Sequence, residues 1–180
     1  MRSFIAIEIP EEIKNKIVAV SSAINEQGIA HTSKAAMHIT LQFLGEQDEK
    51  GIESAKAALA SVDVEPFDIS LRGMGFFEPR FIRIVFINVE SADNKIVWAY
   101  SKIAAALSRM GVSFDKKEYV PHVTIMRVKK LQNRDALINF IKEHELYDFG
   151  SFRVDSISLK KSLLTASGPI YSEIYVKKLV

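Results

Sequence analysis

Cysteine is absent from the 180-residue sequence, which excludes disulfide bridges, thiolate metal sites and cysteine nucleophiles. Excess charge is lacking too. Twenty-four Lys and Arg against 22 Asp and Glu leave a formal net charge of +2, too little to mark a polyanion binder by its overall field. A nucleic-acid partner would have to be met by a local cluster of cations. No apolar run reaches the length of a membrane span or a secretory signal, and the one near the start is interrupted by Glu8 and closed by Pro10. A cytoplasmic, soluble protein with no membrane partner is expected. The length suits one compact domain, 1–180, acting as a monomer, with internal subdivision rather than two independent domains.

Histidine and threonine are also scarce, four of each, yet a Thr stands two residues after a His twice. The segments are His38-Ile39-Thr40-Leu41-Gln42-Phe43-Leu44-Gly45 and His122-Val123-Thr124-Ile125-Met126-Arg127. Both alternate as β-strands do. Period two puts the His and Thr of each segment on one face and Ile39, Leu41 and Phe43, or Val123 and Ile125, on the other.

The elements around them fall into a repeated order. A buried strand from Phe4 to Ile9 is ended by Pro10; Ile13, Ile17, Val20 and Ile24 at three-to-four spacing predict a helix from Glu11 to about Gln27, closed by Gly28. The first motif strand, Met37 to Leu44, is followed by a helix from Lys50 to Val62. Pro66 opens a strand from Phe67 to Met74, and the glycines and proline of Gly73 to Pro79 predict a loop. The order then recurs: strand Phe81 to Val89, helix Asn94 to Met110, motif strand Val120 to Val128, helix Asn133 to His144. Strands Phe152 to Leu164 and Ile170 to Leu179, joined by a turn from Thr165 to Pro169, close the chain. Two similarly ordered halves imply an approximate two-fold axis, with the motif strands facing each other across a cleft.

Two imidazoles and two hydroxyls suit in-line displacement at a phosphate. Imidazole has an ordinary pKa near 6.5, so one ring takes a proton from an attacking oxygen while the other gives one to the leaving oxygen. Threonine hydroxyls can hold the non-bridging oxygens. Hydroxyls are poor zinc partners and no carboxylate shares the motif, so neither metal nor other cofactor is expected. The competing reading makes both histidines satisfied polar residues of half-buried strands; duplication of the pattern argues against it. His31 and His144 lack such companions and read as surface or loop residues.

The paired segments, with Pro121 before the second, resemble the signatures of the 2H phosphoesterase superfamily, and within it the RNA 2′,3′-cyclic phosphodiesterases, also named 2′-5′ RNA ligases. The likeness spans the chain. Arg2-Ser3-Phe4-Ile5-Ala6-Ile7 is similar to the family's opening strand, Phe76-Phe77-Glu78-Pro79-Arg80 to its central loop, and Lys161 to Thr165 with Gly168 to Tyr171 to its closing hairpin. Met126 stands where the family often has a small residue, a departure that would narrow the site. The resemblance implies a bilobal α+β fold, antiparallel sheets lining a central cleft with helices outside. It also implies metal-free opening of a 2′,3′-cyclic phosphate on RNA ends or nucleotides to a 2′-phosphomonoester. Carried over residue by residue, His122 activates the water, His38 protonates the departing O3′, and Thr40 and Thr124 hold phosphate oxygens; near-symmetry leaves the two histidine roles exchangeable. A non-catalytic RNA-binding module, and a phosphodiesterase of another cyclic phosphate or 2′-5′ oligonucleotide, remain as alternatives.

Arg127 matches the family's arginine, five residues after His122. Regular alternation puts it on the opposite face, so reaching a phosphate requires a bulge or the strand's end. Lys116, Lys117, Lys129 and Lys130 flank the second motif and Arg72, Arg80 and Arg83 the central loop, where they could line a path for an RNA backbone. Phe76, Phe77 and Tyr119 are candidates to stack a terminal base, with at least one of the two phenylalanines plugging the core instead.

Overall fold

A computed structural model describes every residue except Pro79 and Ser167, so those two members of the expected loop and turn lie outside the described residues. The strands are β1 (Arg2–Glu8), β2 (Ile29–His31), β3 (His38–Glu46), β4 (Phe67–Phe77), β5 (Ile84–Ser91), β6 (His122–Val128), β7 (Asp148–Val154), β8 (Ser156–Thr165) and β9 (Gly168–Lys178). The α-helices among the described residues are α1 (Glu11–Ser21), α2 (Glu49–Ala60), α3 (Lys95–Arg109) and α4 (Arg134–Glu143), with single 3-10 turns at Lys34–Ala36 and Ala92–Asn94. The strands form two antiparallel sheets, ordered β3-β1-β8-β9 and β2-β6-β5-β4-β7. The α+β class with two antiparallel sheets is thus the observed architecture.

The halves interleave more than their element order suggests. β2, from the first half, pairs with β6 in the second sheet, while β8 and β9 return to the first. The expected strand from Phe152 to Leu164 is therefore two strands in different sheets: β7 pairs with β4, and after Asp155 the chain continues as β8 beside β1. The three-residue β2 is too short to leave a periodic pattern, and its His31 is exposed with Nε2 3.0 Å from the Ile24 carbonyl oxygen.

Two other expectations need correction. α1 stops at Ser21 rather than Gln27, because the hydroxyls of Ser21 and Ser22 turn back to the carbonyls of Val18 and Ala19 at 3.4 and 3.1 Å. Ile24 is still buried, so its apolar periodicity survives beyond the helix. The segment from Gly73 is not a loop; β4 runs through it to Phe77. A bulge sets Arg72 and Gly73 against Asn88 alone, with Gly73 at φ +78° donating its N–H to the Tyr147 carbonyl at 2.8 Å. A Cβ there would lie 2.3 Å from the Glu145 carbonyl oxygen, so glycine is required.

One continuous apolar core fills the space between sheets and helices. The motif strands contribute Ile39, Leu41 and Leu44 from β3 and Val123, Ile125, Met126 and Val128 from β6, each such side chain stabilising the fold by roughly 1.5–3 kcal/mol. Met126 is wholly buried in this core, so it does not narrow the polar face as the sequence suggested. Asp48 and Asn133 cap α2 and α4 by accepting from the N–H groups of Gly51 and Ala136 at 2.7 and 3.1 Å. No described helix is long and apolar enough to cross a membrane.

Candidate active site

β3 and β6 are built alike to a degree their sequences do not announce. From the motif His onward both read half-buried, buried, half-buried, buried, buried, exposed, buried. The break in alternation has the same cause in each. Thr40 pairs with Ala6 and Gln42 with Ile5, leaving Leu41 bulged; Thr124 pairs with Phe86 and Met126 with Val85, leaving Ile125 bulged. One extra residue reverses the parity of all that follow. Arg127 thereby joins the face of His122 and Thr124, and Phe43, which simple alternation placed with Ile39 and Leu41, instead joins that of His38 and Thr40 and is exposed. The bulge that Arg127 requires is present.

The two strands lie against each other, with β3's outer edge held by the segment leading into β6 through a bond of 2.8 Å from the Asp115 N–H to the Phe43 carbonyl. Gln47 adds bonds from Nε2 to the carbonyls of Leu44 at 2.6 Å and Ser113 at 3.2 Å.

Each imidazole sits in an aromatic collar. His38 stacks on Phe4 of β1 at 4.7 Å and meets Tyr171 of β9 edge-on at 5.1 Å. His122 is met by Phe77 at 5.1 Å and Phe86 at 5.4 Å, and those two rings lie 4.3 Å apart. Gly75 makes room for this collar, since a Cβ there would approach the Phe86 ring to 2.9 Å. Sequence reasoning named Phe76 and Phe77 as a pair; alternation along β4 sends Phe76 towards the core and Phe77 to His122. Phe4, Phe86 and Tyr171 went unseen as site residues because long-range strand pairing alone brings them to the histidines.

These collars set the electrostatics. Burial lowers the pKa of His38 to about 4, helped by the Lys160 ammonium and more weakly by Lys14, against opposition from Glu8 and the Ala36 backbone. Beneath His38, Glu8 pairs with Lys160 and, at 3.8 Å, with Lys14. Burial also holds His122 below the ordinary histidine value; the Val120 carbonyl acts in the opposite sense and the Arg127 charge adds to the lowering. The Val120 carbonyl accepts from His122 Nδ1 at 2.7 Å, so the neutral ring carries its proton on Nδ1 and leaves the lone pair on Nε2.

Tyr119 is differently placed from the other candidates. Its ring is half-buried and stacked on Tyr100 at 4.2 Å with only 4° between planes, and its hydroxyl is buried without a partner among the described residues. Burial, then Tyr100, pushes its pKa up. His144 packs on Phe140 and Tyr147 away from the motif strands. Among the described residues no three His, Asp or Glu side chains converge as metal ligands.

Residues 4–175 match the family described as the AKAP7 2′5′ RNA ligase-like domain. A protein named RNA 2′,3′-cyclic phosphodiesterase from Methanocaldococcus jannaschii is 39% identical over 176 residues, covering 97% of this chain and 98% of its own. One of the same name from Methanothermobacter thermautotrophicus is 32% identical over 99% of both chains. Among solved structures, TT0787 of Thermus thermophilus superposes with a TM-score of 0.83 at 26% identity over 99% of this chain and 98% of that one. Apo LigT of E. coli shares the fold, with a TM-score of 0.80 at 18% identity over 99% and 96%. Doubled motif strands, sheet architecture and full-length relatives agree, and the chain belongs to the 2H phosphoesterase family, in its RNA 2′,3′-cyclic phosphodiesterase and 2′-5′ RNA ligase branch.

Proposed function

We propose that this chain hydrolyses 2′,3′-cyclic phosphates at RNA ends or on nucleotides, by general acid and base catalysis from its two motif histidines and without a metal or other cofactor. The observation that carries this reading is the doubled bulged strand, which presents a His, a Thr and a further side chain from each of two abutting strands. The names of its full-length relatives give the substrate class.

In this reading His122 Nε2 takes a proton from water as the water oxygen bonds to phosphorus. The bond from phosphorus to O3′ breaks, and O3′ takes a proton from the His38 imidazolium, leaving a 2′-phosphomonoester and a 3′-hydroxyl. The Val120 carbonyl favours this direction, because it fixes the tautomer of His122 and makes Nε2 more basic. Both rings are neutral in the free enzyme near pH 7, so His38 gains its proton as the anionic substrate arrives and raises both proton affinities. Thr40 and Thr124 donate to the non-bridging oxygens, and the planar fork of Arg127 neutralises their charge. Tyr119, covered by Tyr100, is assigned to steadying the approach to Val120 rather than to gripping a base. A 5′-hydroxyl of a second RNA replacing water would make a 2′-5′ linkage at the same site, as a secondary activity.

The test is turnover of 2′,3′-cyclic nucleotides and cyclic-phosphate RNAs with chelator present, with the ester position of the product identified. The expected product is the 2′-phosphate. A 3′-phosphate product, loss of turnover on chelation, or RNA binding without turnover would each contradict the reading.

A further inference from the structure

Beyond the end of β6 the surface opens into a cavity of about 600 Å³, walled by Arg80, Phe81, Arg83, Lys129, Lys130 and Arg134 together with apolar residues and, among the described residues, no acidic one. In a chain of net charge +2, five cations around one cavity are a strong local excess. Among the described residues no carboxylate pairs with Arg80, Arg83, Lys129 or Lys130. The walls are fixed at the backbone. Val128 N–H donates to the Arg83 carbonyl at 2.8 Å and Lys129 N–H to the Gly28 carbonyl at 2.9 Å. Gly28, at φ +94°, lies so close that a Cβ would come within 1.7 Å of the Lys130 carbonyl oxygen. Exposed cations gathered in this way raise the local positive potential that an arriving anion meets. Phe81 stands exposed at the rim, 71% accessible.

We propose that this basic cavity is an RNA-backbone subsite, which receives phosphates of nucleotides on the 5′ side of the cyclic-phosphate terminus while Phe81 offers a ring face to a base. The proposal rests on the catalytic reading above. A terminus held at His122 leaves the rest of the strand to run somewhere, and β6 extends about 20 Å from His122 to Val128 at roughly 3.3 Å per residue. Arg127 lies on the catalytic face near its end, bridging the two places. Guanidinium forks match phosphate oxygens in pairs, exposed aromatics stack bases of single strands, and a fixed cationic wall tracks a backbone without reading its sequence. The enzyme then prefers oligonucleotides to mononucleotides, and only for the former does salt weaken binding steeply.

The test compares a 2′,3′-cyclic mononucleotide with a single-stranded RNA decamer ending in a 2′,3′-cyclic phosphate, using the full chain and the variant R83A/K129A/K130A. We expect the decamer KM to rise about tenfold or more and the mononucleotide KM and kcat to stay within about twofold. The slope of log KM against log salt for the decamer should become shallower by about 2, at roughly 0.7 for each phosphate no longer neutralised. An unchanged decamer KM, or equal losses on both substrates, would overturn the proposal. Should the triple variant fail to fold, K129E alone must show the same selective loss. If the wild type turns over neither substrate, the catalytic reading falls, and fluorescence anisotropy with a 3′-phosphorylated decamer still decides the subsite: weaker binding by the variant upholds it and equal binding overturns it. Displacement of the decamer by an equally charged polyglutamate peptide at the same concentration would overturn RNA recognition in favour of an acidic protein partner.

Discussion

Arg127 shares a face of β6 with His122 although five residues separate them, because the bulge at Ile125 reverses the strand's alternation between the two. Burial is the main cause of the lowered pKa of His122, and the positive charge of Arg127 adds to it. In β3 the same bulge, at Leu41, delivers Phe43 to the corresponding place. The two motif strands thus share a backbone device but differ in what it presents, a cation on one side and an exposed aromatic on the other.

Replacing Arg127 by Ala should lower kcat/KM about a hundredfold, the scale on which a positioned donor to a developing oxyanion acts. Arg127→Lys should retain part of that activity, since it keeps the charge and loses the fork. Removing the charge should also raise the pKa of His122, measured by NMR titration of the imidazole in the free protein. An unmoved His122 titration in Arg127→Ala would break the link between the two residues.

The pH dependence of kcat/KM reports the free enzyme. His38 must be protonated and His122 neutral, and both have pKa values below 6.5, His38 near 4. The required one-proton form of the pair is most populated between its two apparent values, so kcat/KM should peak below pH 6.5 and fall about tenfold per pH unit above it. The alkaline limb of kcat should lie higher, because bound phosphate favours imidazolium. A kcat/KM plateau reaching pH 8 would contradict this electrostatic picture.

The same depression affects folding. Between pH 6.5 and about 4 the unfolded chain binds a proton at His38 that the folded chain does not, so stability falls as pH drops through this window. The span corresponds to about 3 kcal/mol at most. His38→Phe keeps a ring against Phe4 and Tyr171 but cannot titrate, and should flatten the stability curve between pH 4 and 6.5. Urea midpoints of the two proteins at pH 7 and pH 4.5 check this; parallel curves would mean that His38 is not the group responsible.

Gly75→Ala tests the collar of His122. The added methyl meets the Phe86 ring, which packs against the imidazole and must shift. Turnover should drop at least tenfold while stability falls by about 1–3 kcal/mol, the usual cost of overpacking. Turnover equal to wild type would show that Phe86 can move away from His122.

Much of this was legible in the residues. Period-two alternation located both motif strands and assigned His and Thr to one face, and helical spacing located all four helices. What escaped depends on distant partners. The end of α1 turned on two serine hydroxyls competing for carbonyls, which apolar periodicity does not register. Gly73 and Gly75 read as a loop, but one makes a bulge and the other a seat for Phe86, and only the β5 partner distinguishes these uses. The crossings of β2, β8 and β9 between sheets are set by pairings no local pattern carries. For the site, sequence named the polar residues through their repetition, whereas Phe4, Phe86 and Tyr171 had no repeat to mark them. For Tyr119, an aromatic beside a motif, no local pattern shows that Tyr100 stacks on one face of its ring.

The central claim is that both histidines act on one phosphate. Single-turnover hydrolysis of a 2′,3′-cyclic nucleotide by His38→Ala, His122→Ala and the double variant tests it most directly. Each single variant should lose at least a thousandfold in rate while remaining folded, and the double variant should lose little more, because groups acting as a unit are not additive. Wild-type turnover in either single variant would contradict the account.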